Sequence, residues 1–228
     1  MKGTLVNSGA IIVGGLLGIY AGKILGRYQD EVSKALKLVV VLIGIQMALK
    51  SENMLVTFGS LVVGIIIGEL LNLTERINSI GLYLAGIVQK FGSNVGQLQF
   101  QEGFVTTSMI YCVGAMAILG SIQDGLTGNA DILYLKAALD GISAIMFAAT
   151  WGLGVVFSAL SVFIYQGTIT ILAQQVSSIF TPHIISEVTA VGGVAIMALG
   201  LNMLDIVRVK IANWLPAIFV AMILASIF

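Results

Sequence analysis

Residues 3–22 read GTLVNSGAIIVGGLLGIYAG, an uncharged stretch of twenty residues framed by Lys2 and Lys23. As a helix rising 1.5 Å per residue, that length covers the hydrocarbon core of a bilayer, about 30 Å thick. The apolar part of a secretory signal is shorter, so the run reads as a first membrane span and not as a cleaved leader. A strand of an outer-membrane barrel would alternate polar and apolar side chains over roughly ten positions. This run is continuously apolar, so the span is helical. Gly14, Gly18 and Gly22 fall at every fourth position and clear one helix face for close approach by another helix. Gly64 and Gly68 repeat the spacing further on. The partner of these faces is either another helix of the chain or a second copy in a homodimer.

Outward from this run, the chain continues in the same style. Charge-free runs cover 38–49, 53–68, 77–89, 103–123, 141–186, 188–204 and 211–228. Of 228 residues, 10% are charged and 58% hydrophobic, where a soluble domain carries about 25% charge. The mean hydropathy is +1.04. So little charge cannot coat a globule, which excludes an ordinary soluble enzyme and a disordered chain. Eleven basic and eleven acidic residues cancel, leaving no basic excess for nucleic acid. A single cysteine, Cys112, excludes an intrachain disulfide and a thiolate metal cluster. The predicted fold class is all-α: a polytopic transmembrane helix bundle, one integral membrane domain over residues 1–228.

The run 141–186 is 46 residues long, too long for one span of about 20. Glycines in Thr150–Gly154 permit a break there, giving helices near 132–150 and 152–174. With the break the chain has eight spans; as one long tilted helix it has seven. Lys23, Arg27, Lys34 and Lys37 cluster around the first loop and place it in the cytoplasm, with the N-terminus outside. Eight spans put eight basic residues inside and three outside, whereas seven spans give six and five. The charge bias favours eight. Residues 76–91 are too short to span and are expected to form an amphipathic helix lying at the interface.

Two segments echo each other. Glu31-Val32-Ser33 matches Glu187-Val188-Thr189, and Gly44-Ile45-Gln46-Met47 matches Gly200-Leu201-Asn202-Met203, both 156 residues apart. In the eight-span topology the matching spans run in opposite directions. That is the arrangement of an inverted repeat, the architecture of many secondary transporters. Chance matching among apolar helices stands beside it.

Polar groups inside a membrane are costly and so mark candidate sites. Asn7, Gln46, Asp140, Ser143 and Asn202 are the candidates for a substrate or ion path. Asp140 falls two to three turns into its helix, near mid-bilayer, where it would bind a cation or carry a proton. Lys136, four residues earlier, offers a plain ion pair on the same face. Asn7, Gln46 and Asn202 can present carbonyl oxygens to a hard cation, or simply hydrogen-bond neighbouring helices. Glu69 and Glu187, at span ends, read as solvated interfacial carboxylates. Gln123-Asp124-Gly125 reads as a turn, and His183 as a loop residue without the further ligands a zinc site needs. There is no Gly-x-Ser-x-Gly elbow, no His-Glu-x-x-His and no Walker A loop, so no enzyme activity, cofactor or metal centre is expected.

The stretch from Gly103-Phe104 through Tyr111-Cys112-Val113-Gly114-Ala115-Met116-Ala117-Ile118-Leu119-Gly120-Ser121-Ile122-Gln123-Asp124-Gly125-Leu126 resembles the signature of the YqgA/YdfK-type bacterial inner-membrane proteins. Gly3-Thr4-Leu5-Val6-Asn7, Leu139-Asp140-Gly141 with Lys136, and Tyr165-Gln166-Gly167 fit the same pattern, so the resemblance covers essentially the whole chain. It implies a multi-pass protein of the bacterial inner membrane and, from the way that family is described, transport; it implies no substrate. Leu139-Asp140-Gly141-x-Ser143 also resembles, over five residues, the intramembrane Asp segments of manganese exporters. The expected function is a secondary transporter or channel-like carrier of a small ion or solute, coupled to a cation. The competing expectation is a scaffold or accessory subunit whose polar residues only join helices.

Overall fold

The structure, a computed structural model, describes residues 1–24, 28–76, 79 and 96–228. The described residues are mostly helical, joined by short turns and loops, without a strand. The principal helices are α1 (Lys2–Ile24), α2 (Gln29–Ala48), α3 (Met54–Leu70), α4 (Gln97–Cys112), α5 (Ala115–Thr127), α6 (Asp131–Trp151), α7 (Leu153–Ile171), α8 (Pro182–Met203) and α9 (Pro216–Ile227). Among them α1, α6, α7 and α8 are each long and apolar enough to cross a bilayer. The pair α4 and α5, bent by 61° at its break, makes a fifth candidate if it counts as one span. The apolar helices Met54–Leu70 and Ile211–Ile227 are shorter. The interfacial helix expected over 76–91 lies, save residues 76 and 79, outside the described residues.

The long uncharged run is divided by one residue. Gly152 takes φ 63, ψ −137 between Trp151 and Leu153, a left-handed conformation that favours glycine. Gln123-Asp124-Gly125 corrects the sequence reading: it is not a turn but part of α5. His183 likewise sits in the first turn of α8, not in a loop. Thr181 caps that helix by accepting from Ile184 N, and Pro182 opens it, a start signal legible in the sequence.

The chain forms two compact units. The first comprises Met1–Ser33, Ile80–Cys112 and Met116–Ser178. In it α1 runs parallel to α6. A Cβ added at Gly14, Gly18 or Gly22 would strike the backbone oxygens of Gly141, Ile145 and Ala149 in turn. The glycine stripe of residues 3–22 therefore has its partner within the chain. Antiparallel to α1 lies α7, with Gly15 against Val156 and Thr4 beside Thr170. The α4 helix runs parallel to α7, Gly103 packing on Trp151 and Ser108 bonding Ser161. Phe100 anchors this contact, its ring centroid 5.4 Å from Phe157 and 6.3 Å from Phe104.

The second unit comprises Lys34–Ser79, Val113–Ala115 and Ile179–Phe228. Here α2 runs antiparallel to α8, with Val41 against Gly200, Gly44 against Met197 and Ala48 against Gly193. The α3 and α9 helices are also antiparallel: Gly64 meets Ala217, and Gly68 meets the backbone of Asn213.

Candidate functional site

The α6 helix places Lys136 and Asp140 one turn apart on a face turned into the first unit. Lys136 Nζ lies 2.7 Å from Asp140 Oδ2, and the two side chains are 8% and 10% exposed. The register of α1 along α6 brings Asn7 to the same carboxylate oxygen, to which its Nδ2 donates at 3.0 Å. The same amide nitrogen reaches Gln166 Oε1 on α7 at 3.3 Å. Asn7 on α1 thus links Asp140 on α6 to Gln166 on α7, and Asn7 and Gln166 are completely buried.

A hydroxyl arm continues the cluster. Ser143 Oγ is within hydrogen-bonding distance of the Asp140 carbonyl, 2.9 Å away, and of Tyr111 OH on α4, 3.1 Å away. The Lys136 ammonium sits 5.9 Å from the Tyr111 ring centroid, near enough for cation–π attraction. Not every polar atom is satisfied. Asn7 Oδ1, Gln166 Nε2 and Ser8 Oγ are buried and have no partner among the described residues. Unpaired buried groups of this kind each cost about 1–3 kcal/mol unless water or a ligand meets them. An acceptor and a donor left open on neighbouring amides leave room in the bonding pattern for a small polar guest.

Of the residues singled out in the sequence, Asn7, Asp140 and Ser143 come together in the first unit. Gln46 and Asn202 belong to the second unit. Asn202 spends its amide on the backbone of Val209, accepting from its N at 3.3 Å and donating to its O at 3.4 Å, which staples the loop after α8. Gln46 is exposed on α2. Gln166, Tyr111 and Lys136 complete the cluster. Of these, sequence reasoning had proposed neither Tyr111 nor Gln166 as polar lining. The signal for Gln166 was available: a lone amide in the middle of an apolar span.

A second carboxylate corrects an expectation. Glu187, read as solvated, is fully buried. Its Oε1 accepts from the backbone N–H of Glu52 at 2.7 Å and of Asn53 at 2.8 Å. Its Oε2 accepts from Ser51 Oγ at 3.1 Å and Thr57 Oγ1 at 3.0 Å. These donors belong to the α2–α3 turn and the first helical turn of α3, so Glu187 ties that turn to α8. Glu69 is exposed as expected and pairs with Lys210 at 2.8 Å. That hydrogen bond raises the Lys210 pKa. In the first turn of α8, His183 lies 2.9 Å from Glu52 on the α2–α3 turn and holds the Glu52 carboxyl below its usual range, with Ser186 assisting.

Asp124, also buried, accepts from Gly3 N at 3.0 Å and pairs with the Met1 amine at 2.9 Å. Among the described residues no group of three or more His, Cys, Asp or Glu side chains could hold a metal ion.

An apolar chain with four helices long and apolar enough to cross a bilayer belongs to the class of membrane proteins. Comparison with known proteins gives the family: the model of the protein family of unknown function DUF554 matches residues 2–226, and the chain belongs to that family. It is 32% identical over 225 residues to the "Uncharacterized membrane protein YdfK" of Bacillus subtilis (strain 168), covering 96% of this chain and 93% of the relative. It is 26% identical over 225 residues to the "Uncharacterized protein YqgA" of Escherichia coli (strain K12), covering 98% and 96%. No solved structure matches the chain.

Proposed function

We propose that the protein is a secondary transporter or channel-like carrier of a small ion or solute, coupled to a cation, spanning the bacterial inner membrane eight times. The observation that carries the reading is the Lys136–Asp140 pair, hydrogen-bonded to Asn7 and buried where the flanking surface is apolar. Ionisable residues within membrane helices commonly mark an ion or proton path. Asn7 Oδ1 and Gln166 Nε2, buried without partners, add the unmet hydrogen-bonding capacity that a passing solute or water uses.

Two features of the packing support the topology. Eight spans with an outside N-terminus require α1 and α6 to be parallel and α1 and α7 antiparallel, the directions in which they pack. The 156-residue echo supports an inverted repeat. Shifting the contact Gly44–Met197 by 156 residues in opposite directions gives the contact Val41–Gly200, and both pairs are packed together. The exchange is centred between residues 42 and 43, within α2, as expected where a two-fold axis in the membrane plane relates inverted halves.

The scaffold reading has its own support, since Lys136 balances Asp140 from the same helix. Full-length protein in liposomes loaded with a pH dye and challenged with a sodium or potassium chloride step separates the two. Transport predicts a protein-dependent signal that disappears in the folded Lys136→Met/Asp140→Asn double variant. A double variant with wild-type stability and wild-type flux assigns the pair to structure alone. Silence of the wild-type protein with both salts refutes cation coupling.

A further inference from the structure

The first unit holds a second buried carboxylate, and polar groups run from it to Asp140. Asp124 stands three residues before the end of α5, beside the exposed Gly125 and Leu126. Its Oδ2 accepts from Gly3 N and faces the exposed Met1 amine. Thr4, the next residue of α1, holds its Oγ1 3.5 Å from Thr170 Oγ1 of α7, and the Thr170 backbone oxygen packs on Gly125. Three residues further along α1, about 4.5 Å of rise, Asn7 donates to Gln166 of α7 and to the Asp140 carboxylate. All six side chains on this line are more than nine-tenths buried. Three buried polar atoms along it have no partner among the described residues: Asn7 Oδ1, Gln166 Nε2 and the Oγ of Ser121. Ser121 lies three residues before Asp124 on the same buried face of α5. The line stops at Asp140. One turn further along the same three helices stand Ile11, Ala144 and Val162, apolar and fully buried. Past them the hydroxyls of Ser158 and Thr107 are spent on their own helices, donating to the carbonyls of Val155 and Gly103.

We propose that this line is a one-sided proton path, entered at Asp124 from the N-terminal end of α1 and closed beyond Asp140. The inference rests on the transport function proposed above and names its coupling cation, a proton. N–H groups already point at both carboxylates: Met1 and Gly3 at Asp124, Lys136 and Asn7 at Asp140. They hold the oxygens that a metal ion would need as ligands and repel its charge. A proton needs only hydroxyls and water near enough to exchange O–H bonds. Water bridging the Ser121 hydroxyl and the two open amide atoms fills the gaps between the fixed groups. A proton from water at the α1 end forms an O–H bond on Asp124. O–H bonds then break and re-form through the threonine hydroxyls and bridging water until one forms on Asp140. Each carrier regains a proton as it gives one up, so Asp140 alone is changed and its pair with Lys136 is left with one positive charge. Tyr111 and Cys112 on α4 are the other titratable groups within electrostatic reach of that pair, while α1 and α7 turn the neutral Asn7 and Gln166 toward it.

Two measurements on the full-length protein test the path, each read beside the melting temperature. In liposomes loaded with a pH dye, Asp124→Asn and the Thr4→Val/Thr170→Val double variant are expected to fold and to lose about a hundredfold in proton flux, the low end for a lost proton-transfer group. Asp124→Glu is expected to restore the flux, and Ser158→Ala and Thr107→Val to keep it at the wild-type level. Infrared spectroscopy after a pH step reads Asp140 itself in detergent-solubilised protein, as the carboxyl band that Asp140→Asn lacks. Asp124→Asn is expected to slow the rise of that band. Wild-type flux and an equally fast band in the stable Asp124 and threonine variants would overturn the path and leave the transport reading intact. A wild-type protein without flux would instead refute transport, and the infrared result would then decide the path alone: a band slowed by Asp124→Asn upholds it, and an unaltered band overturns it.

Discussion

Asp140 in the first unit and Glu187 in the second are both buried carboxylates, and the two are held in opposite ways. Asp140 is neutralised by a lysine and receives an amide from another helix, while Asn7 and Gln166 around it retain unmet hydrogen-bonding atoms. Glu187 has no cation within bonding distance among the described residues. Two backbone N–H groups and two hydroxyls, all from residues 51–57, occupy both of its oxygens. A charge met on every side by local donors is a tether, because nothing more can bind without breaking what is there. A charge balanced by a single lysine, beside open amide positions, has room to change partners. That difference is why we propose the functional role for the Asp140 cluster and a structural one for Glu187.

The sharpest way to break the comparison is to remove charge from the Asp140 cluster. Asp140→Asn alone leaves the Lys136 charge buried and unpaired, a loss of about 3–5 kcal/mol for a pair broken on one side. Lys136→Met/Asp140→Asn should recover most of that stability, so thermal unfolding in detergent of the wild type, Asp140→Asn, Lys136→Met and the double variant yields a large coupling energy. Simple addition of the single losses would mean that the pair does not act as a unit.

Nearly as large is the effect of Gly18→Leu. The first atom of the new side chain would strike the Ile145 carbonyl oxygen, prying α1 from α6 and Asn7 from Asp140. Overpacking of this sort costs about 3 kcal/mol or more when backbone must move. Gly9→Leu is the control, since nothing lies within 4 Å of a Cβ at Gly9. Yield and melting temperature should fall for the first variant and hold for the second. Equal behaviour would show that the glycine stripe is not the seat of α6.

Glu187→Gln sharpens the contrast at the other carboxylate. The new NH₂ group faces donors in place of an acceptor, leaving at least one buried N–H or O–H unpaired at a cost of about 1–3 kcal/mol. The loss should appear in stability and spare any flux the protein supports. A Glu187→Gln protein that is stable but transport-dead would move the functional site to the second unit.

The smallest effect belongs to the exposed contact Glu52–His183. The Glu52 pKa is depressed in the folded state, so the contact's contribution is present above the ordinary carboxylate pKa and is lost as pH falls through the folded value. His183→Ala should return the Glu52 titration toward its usual range, read by carboxyl NMR on labelled protein. The melting temperature at neutral pH should change little, as expected of a solvent-exposed pair.

Much of this was legible along the chain, and for local reasons. An uncharged run of twenty residues must be helical in lipid, because only a helix satisfies its own backbone there. Lys136 and Asp140 are four residues apart, and so their pairing follows from the helical period. The break at Gly152 and the packing face of Gly14, Gly18 and Gly22 follow from the absence of a side chain. None of this required knowledge of distant residues.

Tertiary structure decided which faces meet. Asn7 reaches Asp140 across 133 residues of sequence, and Glu187 is buried because a turn more than 130 residues away closes over it. Gln46 and Asn202 occupy matching places in the echo, yet one is exposed and the other is spent on a loop. In a soluble protein the contrast between water and core would have marked the inward side of each helix. In lipid both sides of a helix are apolar, and the choice of face passes to close packing and the pairing of a few polar groups, which a one-dimensional pattern does not record.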